Sequence, residues 1–306
     1  MTGPFSDRAS GSTSVGAGFL GAIERWVSQD RSRSTQELRQ ALLPWLREAQ
    51  AAQPSMALVH QFAARAWSVA NASLERGDEP KDLRAHLLQS CSVERDDLAA
   101  SVLAAAQIAA ATVTERDGWI ATLSMSGSVQ AALLALKRAG RRPRVLLAES
   151  RPKFEGRDMA AALAADGIPV WLVADAALAM LLQNASAVWL GADAVTEAGV
   201  LNKAGSFTLA LAAREHGVPV HAIATRRKFL PAATPALSIA EMPPTEIWDS
   251  PPEGVRPRNV YFEMTPMALL RGVVVEDTVL GATEAALTAE DRKLPDELAA
   301  ALPPAS

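Results

Sequence analysis

The sequence predicts an α/β protein in which a helical N-terminal domain, residues 1–115, precedes a Rossmann-like parallel-sheet domain, residues 116–306. Three observations lead there. From about Val15 to Val113 the apolar residues recur at the three-to-four spacing of amphipathic helices. From about Gly118 the rhythm changes to short apolar runs that alternate with longer amphipathic ones. The short runs are apolar on both faces and glycine follows the helical segments, as expected of a parallel sheet wrapped by helices.

Taken in order, Phe19, Leu20, Ile23 and Val27 mark the first helix, and Leu38, Leu42, Leu43 and Leu46 the second. Leu58, Phe62, Ala66 and Val69 mark the third. Breaks are expected at RSRST (31–35), where Ser34 or Thr35 caps the next helix, at QPSM (53–56) and at RGDEP (76–80). The junction between the halves is expected near Glu115–Gly118, without a Gly/Ser linker. Strand and helix then alternate: WIATLS with VQAALLALKRAG, RVLLAES with GRDMAAALAADG, and PVWLVAD with AALAMLLQ. SAVWLGAD follows, then a turn region, SFTLALAAREHG and VPVHAIAT. The Pro-rich stretch 232–259 reads as a long loop over the site before TPMALLRG closes the fold.

Composition narrows the function classes. Hydrophobic residues make up 49% and charged residues 21% of the 306 residues, which excludes wholesale disorder. The net charge of −4, from 30 basic and 34 acidic residues in mixed order, argues against direct nucleic-acid binding. One cysteine, Cys91, and four scattered histidines leave no intramolecular disulfide and no zinc-type cluster, so neither a metal nor another cofactor is expected. No run reaches the roughly 18–20 apolar residues of a membrane span, and the first residues lack the pattern of a secretory signal. The expectation is a cytoplasmic protein.

Polar residues collect where the predicted strands end. Ser124, Glu149, Asp175, Asp193 and Thr225 stand at C-terminal strand ends, followed by Arg151, Lys203 and Arg226. That edge of an open α/β sheet forms the ligand crevice; each residue alone reads as a turn former or helix cap before it reads as a site residue, and it is the five on one edge, with the three cations after them, that shift the balance towards a site. SMSGS (124–128), with Ser126 and Gly127, could point N–H groups at an anion or simply start a helix. In LNKAGS (201–206), Asn202 and Lys203 suit a phosphate or sugar hydroxyl, or else a solvated turn. His216, at a helix end, and His221, within a strand, read as structural.

Taken with their order, these residues resemble the superfamily that joins the initiation factor 2B α/β/δ subunits, ribose-1,5-bisphosphate isomerase and methylthioribose-1-phosphate isomerase. The segments that carry the resemblance are SGSTSVG (10–16), QPSMALV (53–59), IATLSMSGSVQAAL (120–133), ESRPKFEGRDMAAALAADGIPV (149–170), GADAVTEAGVLNKAGSFTLALAAREHGVPV (191–220) and FEMTPMALL (262–270). The resemblance implies the two-domain fold, a homodimer and a phosphorylated small-molecule ligand. It implies contacts to that ligand from Gly11, Ser126, Gly127, Arg151, Asn202, Lys203 and Lys228. In the isomerases of this family a cysteine and the aspartate of GAD flank the sugar phosphate. Asp193 matches the aspartate, whereas Ser124 stands at the cysteine position, Leu123 where a histidine often precedes it, and Gln53 where isomerases commonly carry arginine. A serine hydroxyl needs an adjacent base to lose its proton. The resemblance therefore implies an initiation-factor-like protein that binds a sugar phosphate or nucleotide monophosphate without cysteine-dependent isomerase activity. The alternative is an active aldose–ketose isomerase that relies on Asp193.

Overall fold

The computed structural model describes residues 11–113, 118–234 and 237–299. Four helices come first: α1 (Ser12–Gln29), α2 (Thr35–Ala52), α3 (Ala57–Arg76) and α4 (Pro80–Ala111). All three expected breaks separate them. Ser34 is the N-cap of α2 and its hydroxyl accepts from the Glu37 N–H at 3.1 Å. Gly77 ends α3 at φ 72°, a left-handed conformation that glycine adopts without Cβ strain, and Pro80 opens α4.

The second half runs through β1 (Trp119–Leu123), α5 (Gly127–Arg138), β2 (Arg144–Ala148), α6 (Glu155–Ala165), β3 (Val170–Val173), α7 (Leu178–Leu181) and β4 (Ala185–Leu190). It continues with β5 (Ala194–Thr196), β6 (Gly199–Lys203), α8 (Ser206–Glu215), β7 (Val220–Ile223) and β8 (Phe262–Pro266). It ends with β9 (Gly272–Val274), β10 (Val279–Leu280), α9 (Ala282–Glu290) and α10 (Asp296–Ala299).

Seven strands form one sheet in the order β10-β9-β7-β4-β1-β2-β3, parallel throughout except for the β9–β10 pair. Counted in chain order, the six parallel strands lie as 3-2-1-4-5-6, the doubly wound arrangement, and the strand order reverses between β1 and β4. Alternate side chains feed two cores. Ile120, Val145, Leu147 and Trp189 pack under the end of α4 with α5 and α6; Ala121, Leu146, Val188 and Leu190 pack under α7, α8 and α9. The expected burial of both faces fails at β3, where Trp171 and Leu172 are 53% and 43% exposed. β3 is the edge strand, so it has a neighbour on one side only.

A second, antiparallel sheet in the order β5-β6-β8 is the main departure from the sequence reading. The stretch 194–203 expected to turn is a hairpin instead, with Thr196 opposite Gly199 and only Glu197 and Ala198 between them. Gly199, at φ 155°, lies so close to β8 that a Cβ would meet the Thr265 carbonyl oxygen at 2.2 Å. The stretch 232–259 is a loop, as expected, broken in its described part by a single 3-10 turn at Pro244–Glu246. The 32-residue α4 joins the halves: Leu83, Leu87 and Leu98 belong to the helical core, while Ala105, Ala106 and Ala109 belong to a core of the large sheet. The expected domain boundary, and Ser10 of the SGSTSVG segment, lie outside the described residues.

Candidate functional site

At the reversal point, the loops that leave β1 and β4 frame a cleft closed from above by the start of α1 and by β6. Gly11, Ser12, Ser124, Ser126, Gly127, Gly191, Asp193, Asn202, Lys203 and Lys228 line it, and Met56, Glu155 and Phe262 complete the wall. Reversal points of open sheets are where such folds bind ligands, because the flanking loops diverge and leave a gap. The cleft is tight, with a cavity volume of about 30 Å³, enough for a water molecule or two. A sugar phosphate would therefore require its walls to part.

Close backbone approach shapes the floor. Gly191 has no Cβ because one would stand 2.7 Å from Ser126 Oγ, and a Cβ on Gly11 would stand 2.7 Å from the Met125 carbonyl oxygen. Ser126 is the N-cap of α5, so the positive end of that helix faces the cleft. Ser124 occupies the left-handed region at φ 63°. Its N–H donates to Ser150 Oγ at 2.7 Å, and the N–H groups of Ser150 and Arg151 donate to the two Asp175 oxygens at 2.7 and 2.8 Å. Asp175 thus fixes the turn behind Ser124 instead of facing the cleft.

Four charged groups are buried together here. Lys203 Nζ donates to Glu155 Oε1 at 2.8 Å, with side-chain exposures of 4% and 7%, and lies 4.6 Å from the centre of the Tyr261 ring. Lys228 Nζ donates to the Ala192 carbonyl at 2.7 Å. Asp193 is anchored through its backbone, donating to the Leu201 carbonyl at 2.8 Å and accepting from the Ala57 N–H at 3.0 Å. Burial raises the Asp193 carboxyl pKa to about 6, against the opposing pull of the Lys228 ammonium, the Ser12 hydroxyl and Lys203. Burial lowers the Lys228 pKa to about 8, and Asp193 acts in the opposite sense. An acid and an amine that both titrate near neutrality can exchange a proton with a bound molecule at little energetic cost.

The structure gathers eight of the nine sequence candidates, Gly11, Ser124, Ser126, Gly127, Asp193, Asn202, Lys203 and Lys228, around one cleft. Arg151 is the exception: it is exposed, and its guanidinium lies 4.9 Å from the Phe154 ring centre, outside the cleft lining. The reading of Lys203 as a turn residue is corrected, since it ends β6 and is buried. Glu149 pairs with Arg157 at 2.7 Å, Arg226 with Asp277 at 2.9 Å, and Gln53 is buried at the end of α2. Sequence reasoning missed Glu155; the available signal was an acidic residue opening the helix that follows a strand-end loop. It also missed five cations, Lys137, Arg138, Arg141, Arg142 and Arg144. Four of these, all except Arg138, line an open groove of about 600 Å³ at the opposite edge of the sheet. That hollow is larger but shallow and has no buried charge. Among the described residues no group of His, Cys, Asp and Glu could hold a metal ion, and no helix is long and apolar enough to cross a membrane.

The sequence model of the initiation factor 2 subunit family matches residues 8–282. A putative translation initiation factor eIF-2B subunit 2-like protein of Pyrococcus furiosus is 37% identical over 159 residues. That stretch is 51% of this chain and 55% of the relative, so the match spans about half of each. A methylthioribose-1-phosphate isomerase of Xylella fastidiosa is 29% identical over 296 residues, covering 89% of this chain and 81% of that protein. Among solved structures, the translation initiation factor eIF-2B of Pyrococcus horikoshii superposes with a TM-score of 0.75 at 25% identity, over 90% of this chain and 94% of that one.

Proposed function

We propose that this chain, which belongs to the initiation factor 2 subunit family, binds a phosphorylated sugar or a nucleoside monophosphate in the cleft at the reversal point, without thiol chemistry. The observation that carries the reading is the convergence of the α5 N-terminus with two buried ammonium groups, Lys203 and Lys228, on one small polar cleft. The phosphate sits against Ser126, Gly127 and Gly11, where the positive end of α5 favours an anion. Serine at position 124 supplies a hydroxyl in place of a nucleophilic thiolate, which keeps polarity and gives up acidity. Thermal unfolding of the full chain with ribose 1,5-bisphosphate, methylthioribose 1-phosphate, AMP and inorganic phosphate tests this. A ligand at 100 times its Kd adds about 2.7 kcal/mol of stability; no shift with any of them overturns the reading.

A second reading is favoured by one observation, the Asp193 carboxyl held at about 6, which suits general acid/base work on an aldose–ketose pair. Wild-type protein is expected to show no turnover of ribose 1,5-bisphosphate, and Ser124→Cys a trace. Robust wild-type turnover, lost in Asp193→Asn and kept in Ser124→Ala, would establish the isomerase instead. We also propose a homodimer through the sheet domain, supported by the exposed Trp171 and Leu172 of β3 and Met180 of α7. A monomeric mass in light scattering at micromolar concentration would contradict it.

A further inference from the structure

Five of the eight residues in 137–144, KRAGRRPR, are cationic and none is acidic. The fold gathers them at the N-terminal edge of the large sheet, the end opposite the cleft, where α5 and α6 finish and β2 begins. Lys137, Arg141, Arg142 and Arg144 line the open groove of about 600 Å³ there, and no acidic side chain lines it among the described residues. Three of these cations are held in place. Lys137 Nζ donates to the Asp166 carbonyl and Arg141 Nη1 to the Val113 carbonyl, while the Arg144 guanidinium lies 4.7 Å from the centre of the Trp119 ring. The two carbonyls stand where α6 and α4 end, so Lys137 and Arg141 also serve those helix ends. Arg142 is exposed in the loop between α5 and β2 and has no such role among the described residues. Cations alone do not set the groove apart, since Arg65, Arg226, Arg227, Arg292 and Lys293 line a hollow of about 430 Å³ beside α3. That hollow, however, is balanced by acids: Glu94 in its wall pairs with Arg227 at 2.9 Å, and Asp277 pairs with Arg226 at 2.9 Å.

Shape and lining select the occupant. A shallow, open groove tracks a chain and does not enclose a small molecule. A protein partner is seated by aromatic or aliphatic anchors in pockets, and a membrane by inserted apolar side chains. The groove offers little of either: Pro143 and Ile168 are buried, which leaves Pro169 as the exposed apolar side chain of the described wall. What it does offer is guanidinium groups, whose paired N–H donors match phosphate oxygens. We infer that this groove binds the phosphodiester backbone of single-stranded nucleic acid without reading its sequence. The net charge of −4 argues against a protein coated by nucleic acid, yet a cationic strip on an otherwise acidic chain still attracts a polyanion over roughly the 10 Å that salt leaves unscreened. Attachment is therefore confined to this edge and weakens steeply with salt. The groove lies at the other end of the sheet from the cleft, and the inference does not depend on what the cleft binds.

Fluorescence anisotropy of the full-length protein with a labelled polyuridylate of about 15 nucleotides, long enough to cross one such groove, tests it. Wild type is expected to bind with a Kd of about 100 μM or tighter at about 50 mM salt, and four phosphate contacts give log K against log salt a slope of about −3. Oligothymidylate of the same length binds within about twofold, and inorganic polyphosphate competes, because phosphate contacts carry no base information. Arg142→Glu reverses one exposed charge in the groove; it weakens binding about tenfold and brings the slope to about −2. Lys293→Glu makes the same change of net charge in the other hollow and leaves affinity and slope as they are. Absence of binding at about 50 mM salt, a slope near zero, or equal losses in the two variants would overturn the inference. Tighter binding of poly-glutamate than of polyuridylate would overturn it in favour of an acidic protein partner, and sedimentation with anionic vesicles without polyuridylate binding in favour of a membrane surface. The wild-type affinity and slope can overturn it even if a variant fails to fold.

Discussion

The helical half and the cleft treat charge in opposite ways. Around the four helices, ion pairs sit at the rim: Lys81–Glu79 is exposed on both sides at 74% and 68%, and Arg84–Asp30 is partly covered at 26% and 6%. In the cleft, Lys203–Glu155 is covered at 4% and 7%, with Lys228 and Asp193 buried beside it. Rim pairs gain little because water screens them, whereas buried charges lose hydration that their partners only partly return. A region that buries two carboxylates and two ammonium groups is therefore not optimised for stability, a difference that supports the proposal of a binding role for the cleft.

Removing one member of a pair at each depth should grade this contrast. Lys203→Ala strands Glu155 in the wall and is expected to destabilise the protein by about 4 kcal/mol in urea unfolding, the size seen when one partner of a buried pair is lost; a loss too small to measure would mean that the cleft is wetter than its exposures indicate. The next largest effect is on pH dependence. Asp193 ionises near 3.8 when unfolded and at about 6 when folded, so the folded state binds more protons between those values and stability falls as pH rises across that window. The shift corresponds to about 3 kcal/mol. Lys228 runs the other way: its pKa is lowered from 10.5 to about 8, so the unfolded state binds more protons in that window and stability recovers as pH rises through it. Unfolding free energies should thus pass through a trough between about pH 6 and pH 8, with the acid-side limb missing in Asp193→Asn. Arg84→Ala, at the half-covered pair, is expected to lose about 1 kcal/mol. Lys81→Ala should leave the melting temperature unchanged.

Much of this was legible in the sequence because its signals are local. Helical spacing placed α1 to α3 and their breaks, and short apolar runs ending in Ser124, Asp193 and Thr225 placed the strands and the edge at which the cleft opens. What was not legible depends on distant pairing. β6 forms a strand between β5 and β8, whose residues Phe262–Pro266 lie about 60 positions further along, so Asn202 and Lys203 read as a turn until that partner is known. Glu155 opens α6, a first-turn position that helix dipoles make favourable for acids everywhere, so nothing in its spacing singles it out. Arg151 matched by resemblance, yet its side chain stacks on Phe154, a contact that no spacing rule reveals. The exposure of Trp171 follows from its being on an edge strand, which strand order alone decides.

The long helix α4 has one more consequence. Because a single uninterrupted rod of 32 residues contributes apolar side chains to the bundle at one end and to the sheet at the other, melting either end would strip contacts from both. The two halves are thereby joined into one cooperative folding unit: amides along α4 should exchange with solvent through global opening only, and neither half is built to survive alone if the chain is cut within that rod.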